Sequence, residues 1–446
     1  MTRALEAGLL AAVSQAVEAQ LGLHFPSERW PDLERGLRGA AAELGFHDTE
    51  ACAEALALAS LDRAQIAALA AHLTIGETYF FRDPAVFKML TARLLPALVR
   101  ERAGRAKRLR IWSAGCCTGE EPYSIAIALR EALPDIDEWQ ITILATDINP
   151  RFLHKAVAGI YGPWSFRGVP EDTRTIWFHP RAEGRFEVVP EIRQMVTFAC
   201  LNLVEDVWPS LATGTNAMDL IFCRHVLMYF APPRVHQVVA NFRRALVPGG
   251  RLLVSPAEAL REFFTGFTPP EIPGTGLFRN NLPSAPAVAA ALPARKSRPA
   301  PVPPPAPAAR ALPPTPRDHA AEARRLANEG RLGGALAACD RALAAERLVP
   351  AHHYLRGIIL LEQGADAAAV VALRRALYLD PDFALAHFTL GHVLLRQGRQ
   401  TDARRSFANA CALLRACAPD TLPPESEGLT AGRLLALLTS MEEALA

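Results

Sequence analysis

Cysteine is present but never in a ligand pattern. The eight cysteines stand at 52, 116, 117, 200, 223, 339, 411 and 417, with no Cys-x-x-Cys pair and no histidines at ligand spacing. This argues against a zinc centre or a disulfide framework, and no metal site is expected. No uninterrupted apolar run is long enough to cross a bilayer. The opening MTRALEAGLLAAVSQAVEAQLG carries acids throughout. It reads as an amphipathic helix, not as the charged-then-apolar plan of a secretory leader. A cytoplasmic protein without membrane insertion is expected. An excess of one charge is also missing: 48 basic side chains against 46 acidic ones leave +2. Any electrostatic partner must therefore be met by a local patch.

What is there divides into four regions. Residues 1–85 are Ala/Leu-rich with helical periodicity and read as an N-terminal helical domain. Residues 86–281 alternate strands, among them RLRIW, QITILATD, MDLIFCR and GRLLVS, with helices. That alternation implies an α/β domain, a parallel sheet covered on both faces. Within it, GRFEVVPEIRQMVTF reads as a small inserted hairpin. Residues 282–316 are mostly Pro and Ala and read as a semi-rigid spacer. Residues 317–446 repeat with a period of thirty-four: Gly357 with Gly391; Gly330, Gly364 and Gly398; Ala335, Ala369 and Ala403; Ala342, Ala376 and Ala410; Leu326, Leu360 and Leu394. This is the tetratricopeptide period. It predicts three helical hairpins and a capping helix near GLTAGRLLALLTSMEEAL, an all-α stack of a kind that usually binds proteins.

The chemistry is sought at WSAGCCTGEEPYSIAIAL, Trp112 to Leu129, where a glycine loop follows a strand and enters a helix. The loop lacks the third glycine of a dinucleotide turn, and Glu120 and Glu121 would repel a diphosphate. Two acids suit a cofactor with a positive centre, such as S-adenosylmethionine; they would equally complement a helix dipole. Asp147, ending the strand of ILATDINP, can accept both hydroxyls of a ribose. Asn202 and Leu203 follow a third strand, where an adenine would be flanked, and His225 and Val226 follow a fourth. All four stretches fall on one edge of such a sheet, at the switch point where open α/β sheets bind ligands.

The ordered set ETYFFRD, WSAGCCTGEEPYSIA, LATDINP, GIY, NL and FCRHVLMYF closely resembles the chemoreceptor glutamate methyltransferases, the CheR-type enzymes, over about the first 280 residues. The joined repeats resemble a subgroup with C-terminal tetratricopeptide repeats. The resemblance implies a helical N-terminal domain and a Rossmann-like, S-adenosylmethionine-dependent methyltransferase domain with a small antiparallel β-subdomain, at about 162–200. It implies S-adenosyl-L-homocysteine as product and the cytoplasmic helices of a chemoreceptor as substrate. It places cofactor contacts on Gly76, Thr78, Arg82, Glu121, Asp147, Asn202, Leu203, His225 and Val226, and substrate-orienting roles on Arg82 and Tyr229. Gly76 and His225 stand where the family often has asparagine.

The acceptor in such a reaction is a carboxylate, ionised at neutral pH and in need of alignment rather than a base. The basic run Arg93, Arg100, Arg102, Arg105, Lys107, Arg108 and Arg110 reads either as a patch steering an acidic receptor helix or as a solvated face. In some family members the β-subdomain grips a receptor tail peptide. The corresponding loop, FHPRAEGRFEVV, looks short here. Docking is therefore expected through the repeats, whose partner the sequence does not identify. The alternative is a degenerate methyltransferase kept as a protein-binding scaffold. Nucleic acid is not an expected substrate, because no acidic or Asn residue followed by Pro-Pro and an aromatic occurs at FCRHVLMYF.

Overall fold

In this computed structural model the described residues are 5–281 and 318–438, except 59, 60, 103–106, 212, 270, 271, 273, 274, 427, 428, 433, 436 and 437. The Ala/Leu-rich start forms α1 (Ala7–Leu21), α2 (Trp30–Glu43), α3 (Thr49–Leu58) and α4 (Arg63–Leu73). They close around Val13, Val17, Leu33, Leu37, Leu56 and Leu69. Asp62 starts α4 with a capping box: its side chain accepts from the Gln65 N–H, and Gln65 accepts from its N–H, each at 2.9 Å. From Gly76 the chain leaves this bundle, and Phe80 packs into the core of the next domain against Tyr161, Phe166 and Phe178.

The α/β domain follows as α5 (Pro84–Met89), α6 (Leu95–Arg102), β1 (Arg108–Ala114), α7 (Glu120–Ala132), β2 (Gln140–Asp147), α8 (Pro150–Ala158), β3 (Ile160–Tyr161), α9 (Glu171–Trp177), β4 (Phe178–Pro180), β5 (Phe186–Val188), α10 (Pro190–Arg193), β6 (Val196–Cys200), β7 (Met218–Cys223), α11 (Pro232–Ala245), β8 (Leu246–Val254), β9 (Phe267–Thr268) and β10 (Leu277–Asn280). The main sheet runs β6-β2-β1-β7-β8-β10-β9. Strands β6, β2, β1, β7 and β8 are parallel, and β10 runs antiparallel to β8 and to β9. The order reverses between β1 and β7, which is where an open sheet holds its ligand.

The inserted hairpin is corrected. GRFEVVPEIRQMVTF does not fold back on itself; β5 joins β3 and β4 in a separate three-stranded antiparallel sheet, whereas β6 is the edge strand of the main sheet. The physical reason lies at Pro190, which opens the short helix α10 and ends β5. The small sheet thus spans 160–188, and residues 196–200 belong to the large one.

The repeat region forms three hairpins: α12 (His319–Asn328) with α13 (Leu332–Ala345), α14 (Pro350–Glu362) with α15 (Asp366–Leu379), and α16 (Ala384–Arg396) with α17 (Gln400–Ala416). The repeating glycines do two jobs. Gly330, Gly364 and Gly398 take positive φ at the turn inside each hairpin. At Gly357 and Gly391 an added Cβ would stand 2.8 Å from Leu373 and 2.6 Å from Phe407, so these glycines set how closely paired helices approach. The segment read as a capping helix is described only in part, with Leu429, Ala431, Leu434 and Leu438 buried in the α14–α17 core. The Pro/Ala spacer lies outside the described residues.

The repeats rest on the α/β domain. The β6–β7 crossover, residues 201–217, has no helix among its described residues, so it leaves one face of β6, β2 and β1 without a helical cover of its own. The repeats occupy that side: Leu211 enters the α12–α14 core, and Val207 packs on the core of α14–α17. Gln140 Nε2 donates to the Leu361 carbonyl at 3.3 Å.

Candidate active site

Four strand ends build the site. After β1, Gly115 turns at φ 77° against Val226, whose Cγ2 would stand 2.4 Å from any Cβ there. Gly119 opens α7 at φ 94°, with Ala156 and Tyr161 closing the space a side chain would need. The loop is thus tight because its neighbours press on the backbone. Burial disfavours both adjacent thiolates, raising Cys116 well above the ordinary cysteine range and Cys117 to about 12.

The two glutamates of this loop separate. Glu120 turns into the protein, is 1 % exposed, and accepts from Thr118 Oγ1 at 2.6 Å and Ser165 Oγ at 2.9 Å. Glu121 lines the cavity at the sheet's switch point, where Ser113 Oγ donates to it at 2.8 Å and Arg224 Nη1 at 3.1 Å.

Asp147 ends β2 at the same cavity. It accepts from the Cys117 N–H and the Asn149 N–H, both at 2.8 Å, yet burial dominates and lifts its carboxyl to about 6. Asn149 caps α8 through Oδ1 and donates to Thr74 Oγ1 at 2.8 Å, tying this strand end to the helical domain.

The cavity has a volume of about 110 Å³. It brings together Thr78, Arg82, Glu121, Asp147, Asn202, Leu203, His225, Val226 and Tyr229. Gly76 is not among the residues that line it, though it lies beside two that do: an added Cβ there would stand 2.8 Å from Phe152 and 3.6 Å from Cys117 Sγ. The Asn202 amide is already engaged, donating to the Gln20 carbonyl at 2.7 Å and accepting from the Val204 N–H at 3.2 Å. It shapes the wall and draws the end of α1 over the cavity. The same closure recurs at Tyr229, whose carbonyl accepts from the His24 N–H at 2.8 Å. Burial raises the Tyr229 hydroxyl, with Arg29 and Arg82 opposing. Arg82 donates to the Glu77 carbonyl.

Three groups not singled out from sequence organise these. Arg224, 5 % exposed, pairs with both Glu121 and Asp83. Asp83 also meets His225 Nε2 at 3.3 Å, and Arg224 foremost among its partners offsets burial to hold Asp83 below the usual carboxylate range. Glu258 accepts from the backbone N–H groups of His225, Val226 and Met228 at 2.8, 2.7 and 3.2 Å, fixing the loop after β7. The available signal for Glu258 was SPAE, a Ser-x-x-Glu capping box.

The basic run is corrected as a steering patch. Arg102 pairs with Asp219, Lys107 with Asp135 and Glu138, and Arg108 and Arg110 with Glu362 of α14. The strand carries Arg108 and Arg110 inward, beneath the repeats, so their charge faces an interdomain crevice. Arg93 and Arg100 remain exposed, and Arg105 lies outside the described residues. Among the described residues no cluster of His, Cys, Asp and Glu could hold a metal ion, and no helix is long and apolar enough to cross a membrane.

Comparison with known proteins agrees with this geometry. Residues 76–272 match the model of the CheR methyltransferase, SAM binding domain, and residues 357–398 match a TPR repeat. The chain is 33% identical over 366 residues to a probable biofilm formation methyltransferase, WspC, of Pseudomonas aeruginosa, covering 77% of this chain and 84% of that one. It is 37% identical over 188 residues to chemotaxis protein methyltransferase 2 of Vibrio cholerae, covering 42% of this chain and 64% of that one. It is likewise 37% identical over 199 residues to chemotaxis protein methyltransferase 1 of Pseudomonas aeruginosa, covering 42% and 68%. With a relative 33% identical over 77% of the chain, and a TPR match at 357–398, the chain belongs to the CheR methyltransferase family, in a form that carries C-terminal tetratricopeptide repeats.

Proposed function

We propose that this protein methylates glutamate side chains on the cytoplasmic helices of a chemoreceptor, with S-adenosylmethionine as donor and S-adenosylhomocysteine as product. The observation that carries the proposal is the meeting, in one cavity, of Glu121 and Asp147 with Arg82 and Tyr229. The residues fit the donor. Each Asp147 oxygen accepts one backbone N–H and retains capacity for a ribose hydroxyl. Glu121 supplies negative charge toward an amino group or sulfonium, and no phosphate needs accommodating. The bound donor would supply an electrophilic methyl group.

The chain's residues then do the rest. Arg82 orients one oxygen of the incoming carboxylate by charge-assisted hydrogen bonding. Tyr229, a phenol protonated at neutral pH, donates a second bond. Alignment of a nucleophile that is already ionised is the main requirement, and exclusion of water by the α1 end supports it.

The test is methylation of a receptor cytoplasmic fragment with methyl-labelled donor, followed by mild base. Carboxyl methyl esters release methanol; methylated nitrogen does not. Base-stable label, or none, would reject the proposal. If S-adenosylhomocysteine also failed to bind in calorimetry, a non-catalytic scaffold would replace it.

A further inference from the structure

The repeat groove meets its own catalytic domain without filling the space between. On the sheet side stand Arg108, Arg110, Thr142, Thr146 and Thr197, with Leu144 and Ala199 among them. Facing them, α14 and α16 present Tyr354, Ile358, Leu385 and Phe388. A cavity of about 270 Å³ remains between, more than twice the room at the cofactor site, which must take a whole nucleoside-bearing cofactor. Two surfaces made only for each other would have closed to crystal-like density.

Charge at one end of the cavity is unbalanced. Among the described residues that line it, two guanidiniums, Arg108 and Arg110, meet one carboxylate, Glu362. Glu362 alone serves both Arg108, at 3.4 Å, and Arg110, at 2.6 Å. Arg110 is 5 % exposed; its Nη2 donates to the Gly214 carbonyl at 2.6 Å, and among the described residues its Nε has no hydrogen-bond partner. Burial foremost draws Arg108 below its ordinary range, with Glu362 opposing. A buried donor without an acceptor and an excess cation both call for one more carboxylate.

We propose that this crevice is the partner site of the repeat domain and takes an extended acidic segment of another protein. Its carboxylates replace Glu362 on Arg108 and Arg110, and its apolar side chains lie along Ile358, Leu385 and Phe388. Glu362 is then a placeholder that closes the domains together until the partner arrives. A free small anion would satisfy the arginines but leave the apolar wall of α14 and α16 unused. The inference does not depend on which side chain the catalytic site methylates.

Fluorescence anisotropy of a labelled Glu-Leu-Glu-Leu-Glu-Leu peptide on the full chain tests it. Saturable binding is expected, about tenfold tighter for Glu362→Gln, because the internal competitor loses its charge. Joint replacement Arg108→Gln and Arg110→Gln is expected to weaken binding about tenfold or more, and Phe388→Ala several-fold. Replacing Arg374 and Arg375, on the exposed outer side of the stack beside Tyr378, is expected to change nothing. Unchanged S-adenosylhomocysteine affinity certifies the catalytic domain of each variant, and an unchanged helical circular-dichroism melt certifies the repeats. The proposal is overturned if neither wild type nor Glu362→Gln binds the peptide, or if binding ignores the Arg108 and Arg110 changes. Loss of binding with the outer arginines would also overturn it.

Discussion

Two cavities lie on either side of the ends of β2 and β6, and Leu201 lines both. The cofactor pocket is built from 21–230; there Asp147 is held by the N–H groups of Cys117 and Asn149 and Glu121 by Ser113 and Arg224, while Glu258, behind it, is held by the N–H groups of His225 and Val226. The crevice is split between domains, and its arginines share a single carboxylate from α14. Fixed backbone donors give the pocket a set geometry, as chemistry requires. A charge shared across a domain boundary can change partner, as recognition requires. The contrast can be broken or sharpened by experiments on either side.

The largest expected effect is at Asp147. Asp147→Ala removes the acceptor proposed for the ribose and leaves the Cys117 and Asn149 N–H groups without theirs. Two charge-assisted bonds at about 1.5 kcal/mol or more each predict S-adenosylhomocysteine binding weakened about a hundredfold or more. Calorimetry on wild type and variant checks it, and equal affinities would remove Asp147 from the cofactor site. The crevice should not report this change: peptide anisotropy is expected to stay as in wild type.

Arg82 should separate binding from chemistry. Arg82→Ala is expected to lower the methylation rate about a hundredfold through lost alignment while S-adenosylhomocysteine affinity moves less than about threefold. Measuring both on one preparation decides. A parallel loss of cofactor affinity would make Arg82 a cofactor ligand first.

How far these two regions could be read in advance differs for a physical reason. Gly115, Glu121, Asp147 and His225 were legible because each follows a strand at a fixed distance, and the switch point of a parallel sheet gathers strand ends. Asp83, Arg224 and Glu258 were not. Their roles depend on three separate loops meeting, which no local spacing reports. Asn202 was read as a wall of the adenine site, but its amide bonds to α1, a segment 182 residues away. The crevice was invisible altogether. Arg108 and Arg110 alternate with apolar Leu109 and Ile111, a pattern that reads as one solvent-facing side of a strand. Only the missing helix between β6 and β7 and the docking of α14 turn that side inward. The repeats themselves were plain because a period of thirty-four residues is a local signal.

Glu258 tests whether the backbone network is what keeps the pocket set. Glu258→Gln keeps shape but replaces one acceptor oxygen with an amide that faces N–H donors. A stability loss of about 2 kcal/mol is expected in denaturant unfolding, with a smaller weakening of cofactor binding. A neutral result would show that the loop after β7 holds its form without the carboxylate. The equivalent neutral swap at the crevice, Glu362→Gln, is expected to leave cofactor binding unchanged.

The smallest effect is the dependence on pH, and its sign follows from Asp147. Its carboxyl, at about 6 in the folded protein against an ordinary 3.8, binds its proton more tightly when folded. Between about 4 and 6 the native state therefore holds more proton than the unfolded chain, so this group's contribution to stability falls as pH rises through that window and is constant above it. Cofactor binding runs the other way. Ribose hydroxyls donate to the ionised carboxylate, so affinity should be flat above pH 7 and fall below about 6, by up to about tenfold per pH unit. Asp147→Asn should flatten the profile at low affinity. Calorimetric titration of S-adenosylhomocysteine from pH 5 to 8 reads both curves. If wild-type binding stayed constant to pH 5, Asp147 would either be ionised in the free protein throughout that range or not meet the ribose at all. The same slope in Asp147→Asn would instead assign it to another group on the pocket.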